Sequence, residues 1–133
     1  MHPENKGKSI GTQTSYVLPL AFGICNEEVK DLVVKQLMDC IEKGTLRDGE
    51  QEYLPYSLMT GFIGTAWINR VLSDLGYSKT AYNILQQKKY PSWLYSVEQG
   101  ATTIWERLNS YTREHGFSGN NSMNSFNHYS FGS

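Results

Sequence analysis

Cysteine is scarce in this chain: Cys25 and Cys40 are the whole supply in 133 residues. Both have apolar neighbours, and they read as buried free thiols rather than a disulfide staple. The three histidines, His2, His115 and His128, show no ligand spacing, and neither cysteine sits in a CxxC pair. No metal is expected, therefore. Charge of one sign is also missing. Lys plus Arg number 12 against 13 Asp plus Glu, a net charge of −1, which argues against a nucleic-acid partner held through its phosphates. No run approaches the roughly 18 consecutive apolar residues of a membrane span. Gly61-Phe62-Ile63-Gly64 follows no strand and lacks both the GxGxxG pattern and a P-loop lysine, so no nucleotide cofactor is expected. Met1 to Lys8 is polar and lacks the apolar core of a signal peptide. Together with the free thiols, this makes the cytoplasm the expected compartment.

What is present is aromatic. Phe, Trp and Tyr make up 13% of the chain, with nine tyrosines and three tryptophans. Flat apolar rings are what a sugar-binding surface uses. The length allows one domain with a real core.

Hydrophobic spacing organises most of the chain into helices. Residues 12–24 read as a helix that is apolar on most sides and so buried all round, with Pro19 kinking it or marking a first turn. Residues 26–43 form an amphipathic helix. Asn26 is its N-cap, Glu27 and Glu28 complement its dipole, Val29, Leu32, Val33, Leu37 and Ile41 make its apolar stripe, and Gly44 follows its end. Residues 45–57 read as a polar loop. The segment 58–65 leads into a helix over 66–75 stopped by Gly76, and Ser78 caps the next, which runs to Gln87. Connections this short pack helices as antiparallel neighbours. After Tyr90-Pro91 the pattern changes. Trp93 to Val97 alternates large and small residues, Gln99-Gly100 offers a turn, and Thr102 to Trp105 are strand formers, so a short β-hairpin is expected. Residues 109–125 read as a surface loop.

Glu98 and Glu106 flank that expected hairpin, among Tyr90, Trp93, Tyr95 and Trp105. Carboxylates framed by rings suit glycoside hydrolysis, where the rings cover the apolar face of a sugar and a carboxylate activates water or donates a proton. On spacing alone a second reading stands beside it: Glu106 pairs with Arg107 or a distant cation, and the tryptophans are core. His128, between Asn127 and Tyr129, reads either as a structural hydrogen-bonder or as a ligand-contacting group. Lys88-Lys89 reads as a solvated helix end.

Five blocks in order carry a resemblance. They are residues 12–20 (Thr12-Gln13-Thr14-Ser15-Tyr16 onward), 60–65 (Thr60-Gly61-Phe62-Ile63-Gly64-Thr65), Tyr90-Pro91-Ser92-Trp93, the long run from Glu98 through Ile104-Trp105-Glu106-Arg107, and Ser125-Phe126-Asn127-His128-Tyr129. Together they resemble the catalytic domain of bacterial α-L-rhamnosidases, glycoside hydrolase family 78, over about residues 11–133. The resemblance implies an (α/α)6 barrel; with the hairpin read above, the expected fold is all-α with a short β-hairpin, part of such a barrel, behind a polar N-terminal segment at 1–10. The resemblance also implies removal of a terminal, non-reducing α-L-rhamnose with inversion, from a rhamnose-containing glycoside or oligosaccharide. By the same likeness Glu106 is the general base, and Trp93, Trp105 and His128 belong to the sugar site. Glu98 is the less favoured base and a candidate sugar contact.

The family's general acid lies in a motif upstream of all five blocks. Twelve helices of ordinary length need at least about 200 residues. The expectation is therefore a C-terminal piece of the catalytic domain, inactive alone, whose partner is the remainder of that domain. Two other readings are kept: a non-catalytic remnant that binds sugar on Trp93 and Trp105, and a structural helical protein in which the motifs are core.

Overall fold

In the computed structural model the described residues are 11–117 and 123–129. The expected polar segment at 1–10 lies outside them. In chain order the elements are α1 (Gln13–Ala21), α2 (Glu27–Lys43), β1 (Thr45–Arg47), β2 (Glu50–Tyr53), α3 (Gly61–Asp74), α4 (Ser78–Gln86), α5 (Trp93–Glu98), β3 (Tyr111–Thr112) and β4 (Gly116–Phe117).

The side chain of Thr12 accepts from the Ser15 amide at 3.2 Å and starts α1. Pro19 sits in the last turn rather than at a mid-helix kink. The helix closes behind it: the Gly23 amide reaches Leu20 O at 3.3 Å and the Ile24 amide reaches Pro19 O at 2.9 Å. This pair of bonds is a Schellman closure, and it needs the left-handed backbone that Gly23 adopts at φ 63°. The expectation of burial on every side does not hold. Gln13, Tyr16 and Val17 are buried, whereas Phe22 is 58% and Ile24 75% exposed. Among the described residues α1 packs on α2 and α3, and the exposed apolar side chains, Phe22 and Ile24, lie just past its end.

The second helix follows its sequence pattern closely. Asn26 accepts from the Val29 amide at 3.2 Å, and Gly44 ends the helix. Val33, Leu37 and Ile41 are buried, while Leu32 stands 48% exposed at the edge of the stripe. The core these residues join includes Val17, Ile68, Leu72 and Ile84, all fully buried. Cys25 and Cys40 are free and half-buried, and burial pushes both thiols up from their ordinary range.

Residues 45–57 are not a plain loop. Strands β1 and β2 pair antiparallel with Arg47 opposite Glu50. Asp48 and Gly49 make the turn, both left-handed at φ 53° and 85°, the backbone of a two-residue hairpin turn for which Asp-Gly is a favoured pair.

The third helix begins at Gly61, earlier than its apolar period suggests. Thr65 Oγ1 donates to Gly61 O at 2.6 Å and lies 2.7 Å from the Thr60 hydroxyl, which ties down the first turn. Its buried stripe is Gly64, Thr65, Ile68, Val71 and Leu72. In α4, Tyr77 takes the cap position and Ser78 is the first helical residue.

The expected hairpin over 93–105 is absent, and this is the main correction. Residues 93–98 are helical: Ser92, fully buried, accepts from the Tyr95 amide at 3.1 Å. A short apolar run fits strand or helix equally, and the Ser92 cap decides for helix. Residues 103–106 pair instead with the distant segment 125–128. Part of the expected surface loop is also ordered, as the two-residue strands β3 and β4.

Candidate active site

A cavity of about 390 Å³ opens where four stretches of chain converge. Tyr53 from the end of β2, Leu58 and Met59 from the following loop, and Gly61 and Thr65 from the start of α3 form part of its wall. Tyr90 and Pro91, ahead of α5, and residues 106–109 complete it, with Glu106 among them.

Each wall is fixed from behind. The buried side chain of Gln13 donates to Ser57 O and accepts from the Met59 amide, both at 2.8 Å. The Leu58 amide donates to Pro91 O at 2.9 Å, joining the loop before α3 to the turn before α5. Ser96 Oγ donates to Leu108 O at 2.8 Å and so ties α5 to the 106–109 wall.

Tyr90 meets Tyr53 edge-on at 5.9 Å and Tyr95 at 5.4 Å. Burial, then the neighbouring Tyr53 and Tyr95, hold its hydroxyl above the usual tyrosine range.

Glu106 is half-buried. Its amide donates to Ser125 O at 2.8 Å, and its Oε2 accepts from the Ser125 amide at 2.7 Å. A carboxylate held this way has one oxygen committed and the other left for chemistry.

The remaining sequence-derived site residues divide. His128 stacks on Phe62 at 4.5 Å and 8° between planes, and Phe62 follows directly on Gly61 of the cavity wall. Trp105 is buried, 7% exposed, and meets Tyr111 at 6.4 Å and Phe126 at 5.7 Å. Phe117 joins these rings, meeting Tyr111 at 5.2 Å and Phe126 at 5.5 Å. Trp93 packs half-buried against the main core and is not among the residues that line the cavity. Glu98 ends α5, half-exposed, in an ion pair with Lys88 at 3.2 Å; the structure does not bring it to Glu106. Lys88, just past the end of α4, stays exposed in this pair.

Tyr53 and Met59 are wall residues that the sequence reading passed over. The Asp48-Gly49 turn was the signal that could have placed Tyr53 on a strand. Among the described residues no group of three or more His, Cys, Asp or Glu gathers where a metal ion could sit, and no helix is long and apolar enough to cross a membrane.

The chain is a six-hairpin glycosidase domain by its match to a family model. Residues 2–133 match the bacterial alpha-L-rhamnosidase 6 hairpin glycosidase domain, and the chain belongs to that family. It is 44% identical over 121 residues to an alpha-L-rhamnosidase of Formosa agariphila, covering 91% of this chain and 12% of that protein. An alpha-L-rhamnosidase of an Alteromonas species is 39% identical over 127 residues, covering 96% of this chain and 12% of the relative. The crystal structure of Streptomyces avermitilis alpha-L-rhamnosidase complexed with L-rhamnose superposes with a TM-score of 0.78 at 36% identity, over 92% of this chain and 11% of that one. The chain thus spans about 12% of the length of the curated relatives it matches. The expected fold class holds, as a helical part of an (α/α)6 barrel, with its hairpins at 45–53 and 111–117 rather than at 93–105.

Proposed function

We propose that this chain is part of an inverting α-L-rhamnosidase and supplies its general base, Glu106. The substrate class is a glycoside or oligosaccharide with a terminal, non-reducing α-L-rhamnose. The observation that carries this reading is the Glu106 carboxylate, held through one oxygen by Ser125, on the wall of a tyrosine-lined cavity. Family membership supports it, since the curated relatives are alpha-L-rhamnosidases.

In this reading Glu106 Oε1 takes a proton from water as the water attacks the anomeric carbon. A second carboxyl group, from the remainder of the catalytic domain, protonates the leaving oxygen. Inverting enzymes hold the two carboxyl groups about 6.5–9.5 Å apart so that the water fits between them. The described cavity contributes one carboxylate, Glu106, so the 133 residues are inactive by themselves.

The test uses an aryl rhamnoside and the chain joined to the rest of its catalytic domain. Glu106→Gln removes the base while keeping size and shape, and is expected to lower turnover at least about 100-fold, the lower range of general-base contributions. NMR of the first-formed sugar should show the inverted anomer. Full turnover by Glu106→Gln, or nitrophenol release by the isolated chain, contradicts the corresponding part of the proposal.

A further inference from the structure

The segment Ser125–His128 lies antiparallel against residues 103–106, fastened at several points. The Glu106 amide donates to Ser125 O at 2.8 Å, and the His128 amide donates to Ile104 O at 2.7 Å. Thr103 Oγ1 donates to Phe126 O. The fourth bond is of another kind: the Ser125 amide donates at 2.7 Å to the side chain of Glu106, not to its backbone. Rings hold the segment at two points. Phe126 packs on Trp105 at 5.7 Å and Phe117 at 5.5 Å, and His128 stacks on Phe62 at 4.5 Å.

We infer that this segment is a positioning strap for the Glu106 carboxylate, with the Ser125 amide as its positioning group. The inference rests on Glu106 being the base. A glutamate has three rotatable side-chain bonds and loses substantial rotamer freedom when fixed. Bonding Oε2 to a backbone amide spends that ordering during folding rather than during the reaction, and it leaves Oε1 as the oxygen that receives the proton. The amide belongs to backbone that is itself pinned on both sides, so the carboxylate is held by a rigid element rather than by another flexible side chain. Phe126 and His128 lock the segment onto Trp105 and Phe62.

Proline at 125 deletes the amide hydrogen and keeps the carbonyl. In the assembled catalytic domain, Ser125→Pro is expected to lower kcat about 10- to 100-fold, the scale of a roughly 1 Å misplacement of a reacting group, with KM within about twofold of the parent. Ser125→Ala, which retains the amide, should recover most of that loss. Thr103→Val, which cuts a strap bond without touching Ser125 or Glu106, should lower kcat about 3- to 10-fold on the same scale, again with KM preserved.

Parental kcat in Ser125→Pro overturns the strap. If Ser125→Pro fails to fold, Thr103→Val decides, and parental kcat there overturns it equally. Equal loss in kcat and rise in KM would mark a merely structural role and also overturns it. Failure of the base reading is distinguishable, because Glu106→Gln would then keep full turnover; an inactive Glu106→Gln beside a fully active Ser125→Pro removes the strap alone.

Discussion

Gln13 holds Met59 across 46 residues of chain: its Oε1 accepts from the Met59 amide at 2.8 Å while its Nε2 donates to Ser57 O at the same distance. Both ends of a buried amide are satisfied by the backbone of one loop, and that loop forms part of the cavity wall. Gln13→Leu keeps the bulk and leaves a buried carbonyl and a buried amide without these partners. Each orphaned group costs about 1–3 kcal/mol, so the variant should unfold in urea with about 2–6 kcal/mol less stability. An unchanged urea midpoint would show that water replaces the side chain at no cost.

Close approach makes the second case. Gly64 of α3 faces α1, where an added Cβ would lie 2.5 Å from Thr14 Oγ1 and 2.9 Å from Thr60 Cβ. In an exposed helix, glycine to alanine gains up to about 1 kcal/mol. Here overpacking, worth about 1–3 kcal/mol, opposes and exceeds that gain. Gly64→Ala is expected to lower the thermal midpoint, and a raised midpoint would mean that α1 and α3 separate freely.

Legibility in the sequence followed the range of the interaction. Helix α2 was readable from end to end, because Asn26, the glutamates, the apolar stripe and Gly44 all act within a few residues. The Asp48-Gly49 turn was equally local and carried its signal, but the polar strands beside it concealed the hairpin. Residues 93–97 were ambiguous in principle, since five apolar and small residues suit either period and only the buried Ser92 cap separates them. The site lay largely beyond spacing. Glu106 meets Ser125 across 19 residues and Gln13 meets Met59 across 46, and no periodicity marks such pairs. What singled out Glu106 was the likeness to a family. Trp93, Trp105 and Glu98, first marked by the expected hairpin and kept by that likeness as sugar-site residues, do not line this cavity.

The tyrosine cluster predicts a pH effect with a definite sign. Burial raises the Tyr90 hydroxyl in the folded chain, with Tyr53 and Tyr95 adding to it. A raised folded value means that the neutral phenol is favoured by folding, so its contribution is complete below the unfolded value of about 10 and is lost as pH rises through the folded one. Stability should therefore fall above about pH 10, and Tyr90→Phe should flatten that fall. Titration followed by tyrosinate absorbance, beside urea midpoints at each pH, checks it; an equally steep fall in Tyr90→Phe assigns the effect elsewhere.

Exposed apolar residues just past α1 and at the start of α3 yield the last prediction. Phe22 and Ile24, past the end of α1, are 58% and 75% exposed, and Ile63 at the start of α3 is 67% exposed. Phe22 leans on Trp67 of α3 at 5.2 Å, so the two helices share this apolar margin. Monomeric soluble proteins rarely leave such surface contiguous and uncovered. The purified 133-residue chain is expected to self-associate at micromolar concentration, as read by sedimentation velocity. Ile24→Lys with Ile63→Lys should shift it toward monomer with little loss of stability, because surface substitutions away from the core usually change stability by only about 0.5 kcal/mol. Joined to the remainder of the catalytic domain the same surface would be covered, and the two lysines would then lower the stability of the assembled domain instead. A chain that sediments as a monomer at all concentrations, with or without the lysines, would show that this margin needs no cover.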